Sequence, residues 1–160
     1  MEKTDLEKLK ENYSKLQKKY NLPEFSKLNE DFQIEKVSEF KTDLLMREVR
    51  KYITEKFSNY LRFVEILLHP ANAPMFVFPL IKNLSTEDKQ KLTEVYKKLA
   101  KYEVKMVELD LQYDEKKEAE FIITSSKEWQ SIKKDILDVF KNIDKNWDKK
   151  TENNGKGYFG

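Results

Sequence analysis

No glycine occurs in this chain before Gly155, and all three glycines fall within the last six residues. Glycine supplies the positive φ that tight hairpin turns need, so a fold of many short antiparallel strands has little turn chemistry to connect them. That argues against an all-β architecture. What remains is a chain whose apolar residues recur every three or four positions between lysines and glutamates, the pattern of amphipathic helices. Charged residues make up 38% of it, against roughly 25% in ordinary globular domains, which favours long helices with wide solvated faces. The expected fold class is all-α, an antiparallel helical bundle.

At 160 residues the chain has the length of one domain. We expect a single helical domain over 1–148, with the N-terminal helix 4–20 packed at its periphery and 149–160 as a flexible tail. Thr4-Asp5-Leu6-Glu7 is a capping box, and Leu6, Leu9, Tyr13, Leu16 and Tyr20 form a narrow seam ending at Asn21-Leu22-Pro23. Between Pro23 and Val37 the mixed spacing of Phe25, Leu28, Phe32 and Ile34 predicts a short helical turn and an extended piece. The second long helix is expected to start within 38–42 and to run to Leu68, where His69-Pro70 breaks it.

Residues 60–84, YLRFVEILLHPANAPMFVFPLIKNL, are the densest apolar stretch. Met75 to Asn83 is expected to be a short helix with Pro74 at its first position and Pro79 bending or ending it. Ser85-Thr86-Glu87-Asp88 opens a third long helix, and Ser125-Ser126-Lys127-Glu128 reads as a second capping box opening a fourth. Between them two periods compete. Val107, Leu109, Leu111 and Tyr113 also alternate with polar residues, so the alternative fold is α+β with one β-hairpin near 104–124. Helix is favoured because Glu115 to Glu120 are strong helix formers and Asp114 to Lys117 contain neither glycine nor asparagine.

With 31 basic and 29 acidic residues well mixed along a lysine-rich chain, no global field exists to hold a phosphate backbone, and no nucleic-acid partner is expected. The absence of cysteine removes thiol catalysis and thiolate metal sites. The charged N-terminus lacks a signal-peptide pattern, and no apolar run approaches the roughly 20 residues of a transmembrane span, so the expected location is cytoplasmic.

Three motif matches fail on context. Gly155, Gly157 and Gly160 have dinucleotide-loop spacing but no strand before them or helix after them. Asp144, Asn146 and Asp148 match the first ligands of a calcium loop, but Lys149 stands where glycine is needed and Gly155 where a bidentate glutamate is needed. Glu65 and His69, four apart, suit a metal or acid/base pair, yet His69 is the only histidine and is suited to capping the helix C-terminus. No cofactor is expected.

Two features point to contacts. The only arginines, Arg47, Arg50 and Arg62, lie on the second long helix; their planar forks suit either a partner surface or salt bridges to Glu103, Asp110 and Asp114. Met75, Phe76 and Phe78 belong to an apolar hinge too rich for one short helix to bury, since successive positions turn by about 100°. The leading expectation is a non-enzymatic helical protein-interaction or assembly subunit, with a protein partner or self-association as a homo-oligomer. The alternative is a small-molecule or lipid-binding bundle with a pocket lined by Phe63, Leu67, Phe76 and Phe78. A third reading is an enzyme using Glu65 and His69.

Overall fold

The structure, a computed structural model, describes residues 1–148 in full and of 149–159 the backbone alone. The expected tail, 149–160, and the glycine spacing within it lie outside the fully described residues. The fold is all-α, and no strand forms among the described residues. Among the described residues six α-helices follow in order: α1 (Asp5–Tyr20), α2 (Phe25–Phe32), α3 (Leu45–Leu68), α4 (Phe78–Lys82), α5 (Thr86–Leu111) and α6 (Glu115–Phe159). Short 3-10 turns cover Ile34–Glu39, Pro70–Asn72 and Met75–Val77. The chain forms two compact units, Met1–Asn59 with Lys101–Trp129, and Tyr60–Ala100 with Gln130–Gly160.

Local chemistry sets most helix ends. The Thr4 hydroxyl accepts from the Glu7 amide at 3.2 Å while the Glu7 carboxylate accepts from the Thr4 amide at 2.9 Å, so the capping box closes as the sequence implies. A chain without internal glycine must end helices with other residues in the left-handed region. Asn21 (φ 57°) ends α1 and Gln33 (φ 54°) ends α2. Ser85 and Asp88 cap α5 reciprocally, at 3.0 and 3.1 Å.

Several expected boundaries move. The connector contains no extended piece before Val37: Ile34–Glu39 is a 3-10 turn, held by the Asn29 side chain accepting from the Glu35 amide at 2.9 Å. Helix α3 starts at Leu45, later than expected, because Phe40 is extended and the Thr42 hydroxyl takes up the Leu44 amide at 3.0 Å. Pro79 does not end the helix after the hinge. It sits in the first turn of α4, where an amide is not required, and Pro74 caps the 3-10 turn before it.

The hairpin does not form. Asp114 ends the connection after α5 by accepting the Lys117 amide on its side chain at 3.0 Å and the Glu118 amide on its carbonyl at 2.9 Å, which starts α6 at Glu115. Leu109 is buried while Val107 (50% exposed) and Leu111 (83%) lie on the outer face of α5. The strand-like alternation came from that exposed apolar stripe. The second expected capping box is overturned as well. Ser125 and Ser126 lie inside α6 and donate to the carbonyls of Ile122 and Ile123, three residues back, so their hydroxyls are satisfied without ending a helix.

The first unit is built on aromatic side chains. Phe57 of α3 contacts Phe32, Tyr102 and Trp129 at centroid distances of 6.3, 5.2 and 5.6 Å, and Tyr102 meets Phe121 edge-on at 5.4 Å. Such pairs contribute about 0.5–1.5 kcal/mol each beyond the area they bury. The second unit is aliphatic: Val64, Leu67, Leu92, Val95, Leu99, Ile132, Ile136, Val139 and Ile143 are all buried. A stacked pair, Phe63 and Phe140 at 5.9 Å, flanks them.

Candidate functional site

The hinge in the second unit begins where α3 stops. His69 still donates its amide to the Glu65 carbonyl at 2.8 Å, and Pro70 and Pro74 then fix two successive turns. Val77 points inward and is 2% exposed, whereas Met75 is 86%, Phe76 74% and Phe78 43% exposed. One residue anchors the segment and three large apolar ones project from it. Pro79 stiffens the exit, and the Asn83 side chain donates to the Pro79 carbonyl at 2.7 Å. An apolar knuckle of this kind loses little conformational freedom when another surface covers it.

The three arginines divide. Arg50 is 1% exposed; its Nε and one terminal nitrogen donate to the two oxygens of Glu118 at 2.7 and 3.0 Å, and the same terminal nitrogen donates to Asp110 at 2.9 Å. Burial works against its charge, but the bonds and charge of Glu118, then Asp110, outweigh that and hold the guanidinium more firmly protonated than usual. Arg50 thus ties α3 to α5 and α6 within the first unit, and it is not presented to a partner. Arg47 is half-buried with an unsatisfied Nε, and Arg62 is exposed. Of the other carboxylates weighed as arginine partners, Glu103 accepts from Ser58 at 2.7 Å and Asp114 caps α6.

Glu65 and His69 are both exposed, and among the described residues no group of three or more His, Cys, Asp or Glu side chains is placed to hold a metal ion. The buried carboxylates are engaged by the protein itself. Glu118 receives Arg50, and Asp88 receives the Ser85 amide and, at 3.0 Å, the Asn142 side chain.

A cleft that sequence reasoning missed opens in the first unit. It has a volume of about 770 Å³ and runs between α1 and the segment leading into α3, with Leu9, Leu16, Phe40, Leu45 and Met46 among its walls and Lys8, Lys15 and Asp43 along them. At its edge the Tyr20 hydroxyl donates to Glu115 at 2.6 Å and Lys19 approaches the same oxygen at 3.3 Å. The bond from Tyr20, then Lys19, holds the Glu115 carboxyl below the ordinary glutamate range despite some burial. Nothing in the sequence marks this site, because its walls lie far apart along the chain. The residues weighed as a pocket elsewhere are otherwise disposed: Phe63 stacks on Phe140, Leu67 is buried, and Phe76 and Phe78 are exposed.

The fold and these sites define an all-helical protein that, among its described residues, has no helix long and apolar enough to cross a membrane. Comparison with family models, with curated proteins and with solved structures finds no match to this chain.

Proposed function

We propose that this chain is a non-enzymatic, helical protein-interaction subunit that docks a partner protein through the knuckle formed by Met75, Phe76 and Phe78. The observation that carries this reading is the combination of an anchored Val77 with three exposed large apolar neighbours. Covering a fully exposed side chain of this size is worth about 1.5–3 kcal/mol, most of which Met75 and Phe76 can contribute and the partly covered Phe78 in part, so the three together supply the core of a moderate-affinity interface. The prolines at 74 and 79 keep the ordering cost low. The test is a photo-crosslinking residue at position 76 in cells of the source organism, followed by affinity measurement with the purified partner. Phe76→Asp is expected to weaken that complex at least about tenfold, one buried aromatic's share; unchanged affinity would refute the reading.

The cleft of the first unit supports a second reading, a site for a small amphipathic ligand, because its 770 Å³ lies within the range of about 300–1,000 Å³ typical of ligand pockets and its walls mix Leu9, Phe40 and Met46 with Lys8, Lys15 and Lys41. A panel of fatty acids and aromatic amphiphiles, screened by thermal shift, tests it. The shift produced by a true ligand is reduced by Met46→Lys.

A further inference from the structure

Helix α1 carries helix-stabilising contacts of its own and fully buries fewer side chains than α3 does. Its capping box is closed at Thr4, Lys3 reaches Glu11 along its surface, Asp5 and Lys8 pair at 3.8 Å, and Asn21 closes its C-terminus in the left-handed conformation. The cap and the Asp5–Lys8 pair favour the helical state of α1 independently of its packing. Against the first unit it fully buries Leu9 and Tyr13 and half-buries Leu6, Leu16 and Tyr20, with Tyr13 edge-on to Phe25 at 5.5 Å and bonded to the Pro23 carbonyl at 2.5 Å. In the same unit α3 buries Met46, Val49, Arg50, Ile53, Thr54 and Phe57. Helix α1 packs on the 3-10 turn Ile34–Glu39, and beside that contact lies the 770 Å³ cleft, with Leu16, Phe40 and Met46 in its walls. A polar fastening stands at the far end, where Tyr20 and Lys19 meet Glu115.

We infer that α1 is a strap that opens as an intact helix about Asn21-Leu22-Pro23, independently of the rest of the first unit, with Tyr20–Glu115 as its latch. Leu22 is buried and anchors the pivot, and the left-handed Asn21 places the turn immediately before it. The cleft gives the helix room to move, and opening exposes the apolar wall formed by Leu9 and Met46. Fold elements with few buried apolar contacts open below the free energy of global unfolding.

The chain has no cysteine, so a single introduced thiol reports on its position without background. Leu9→Cys places the thiol under the strap, Met46→Cys places it on the opposite wall, and Val49→Cys in α3 reports global unfolding. Each full-length variant is labelled with a thiol reagent at increasing urea, with folding checked by circular dichroism. The expected result is labelling at position 9 at least about tenfold faster than at position 49 and less dependent on urea. Adding Tyr20→Phe accelerates position 9 about three- to tenfold, the equivalent of one hydrogen bond, and leaves position 49 unchanged. If Leu9→Cys does not fold, Met46→Cys with and without Tyr20→Phe makes the same comparison. Equal rates and equal urea dependence at the strap and control positions, or no response to Tyr20→Phe, overturn the inference.

Discussion

Removing the positive charge at position 50 while keeping the length of its stem, as in Arg50→Met, strands the Glu118 carboxylate. That group is 0% exposed, and both of its oxygens take their bonds from Arg50. Breaking one partner from a buried ion pair costs about 3–5 kcal/mol, because the remaining charge has neither water nor a counter-ion. The structure ranks the other two members of the cluster. In Glu118→Ala, Arg50 keeps its bond to Asp110, which is 45% exposed and partly solvated, so the loss falls near the lower end of that range. In Asp110→Ala, Arg50 keeps its bidentate partner, and an exposed carboxylate contributes about 1 kcal/mol or less. Arg50→Met combined with Glu118→Met removes both charges and regains most of the loss, since a well-packed apolar pair is close to neutral against an ion pair. Urea unfolding followed by the fluorescence of buried Trp129 gives these values at constant slope. A loss of less than 1 kcal/mol for Arg50→Met, or equal losses for Arg50→Met and Asp110→Ala, would refute the assignment of the cluster as a buried pin.

Two further outcomes follow from single residues. Gln33 holds φ 54° at the exposed end of α2; Gln33→Gly removes a steric cost of about 1–2 kcal/mol against an entropic cost of about 0.5–1, so urea unfolding is expected to show a net gain of roughly 0.5–1 kcal/mol. The Glu115 carboxyl titrates below an ordinary glutamate because Tyr20 and Lys19 bond to its charged form. Its folded value is depressed, so the stability it contributes is present above the unfolded glutamate range and is lost as pH falls through the folded value. Carbon-detected NMR titration of wild type against Tyr20→Phe checks this, and the variant's Glu115 is expected to move back toward the ordinary range.

The positions of the site residues show where sequence reading reaches and where it stops. Met75, Phe76 and Phe78 stood out because a short helix turning 100° per residue cannot bury every side chain of an unbroken apolar run. Their exposure, and the inward turn of Val77 among them, depend on the 3-10 turn that Pro74 starts. Arg47, Arg50 and Arg62 are alike in sequence as three forks on one helix, yet only Arg50 is fully buried. Glu118 is 68 positions away in sequence, a separation over which residue spacing carries no signal. The same limit hid the cleft, whose walls are drawn from α1, the approach to α3 and the start of α6.

The amino-acid sequence alone determined what depends on neighbours within about four residues: the all-α class from a chain without internal glycine, the closed box at Thr4, the break at His69-Pro70 and the seams of the long helices. Tertiary structure decided what such short range does not encode. It carried α6 through Ser125 and Ser126, turned Val107 and Leu111 outward, gave Arg50 its two carboxylates and left space beneath α1. A helical turn satisfies its own backbone bonds within four residues, so its presence is written locally. Which side of it is buried, and which charge it meets, depends on packing free energy summed over segments distant in the chain.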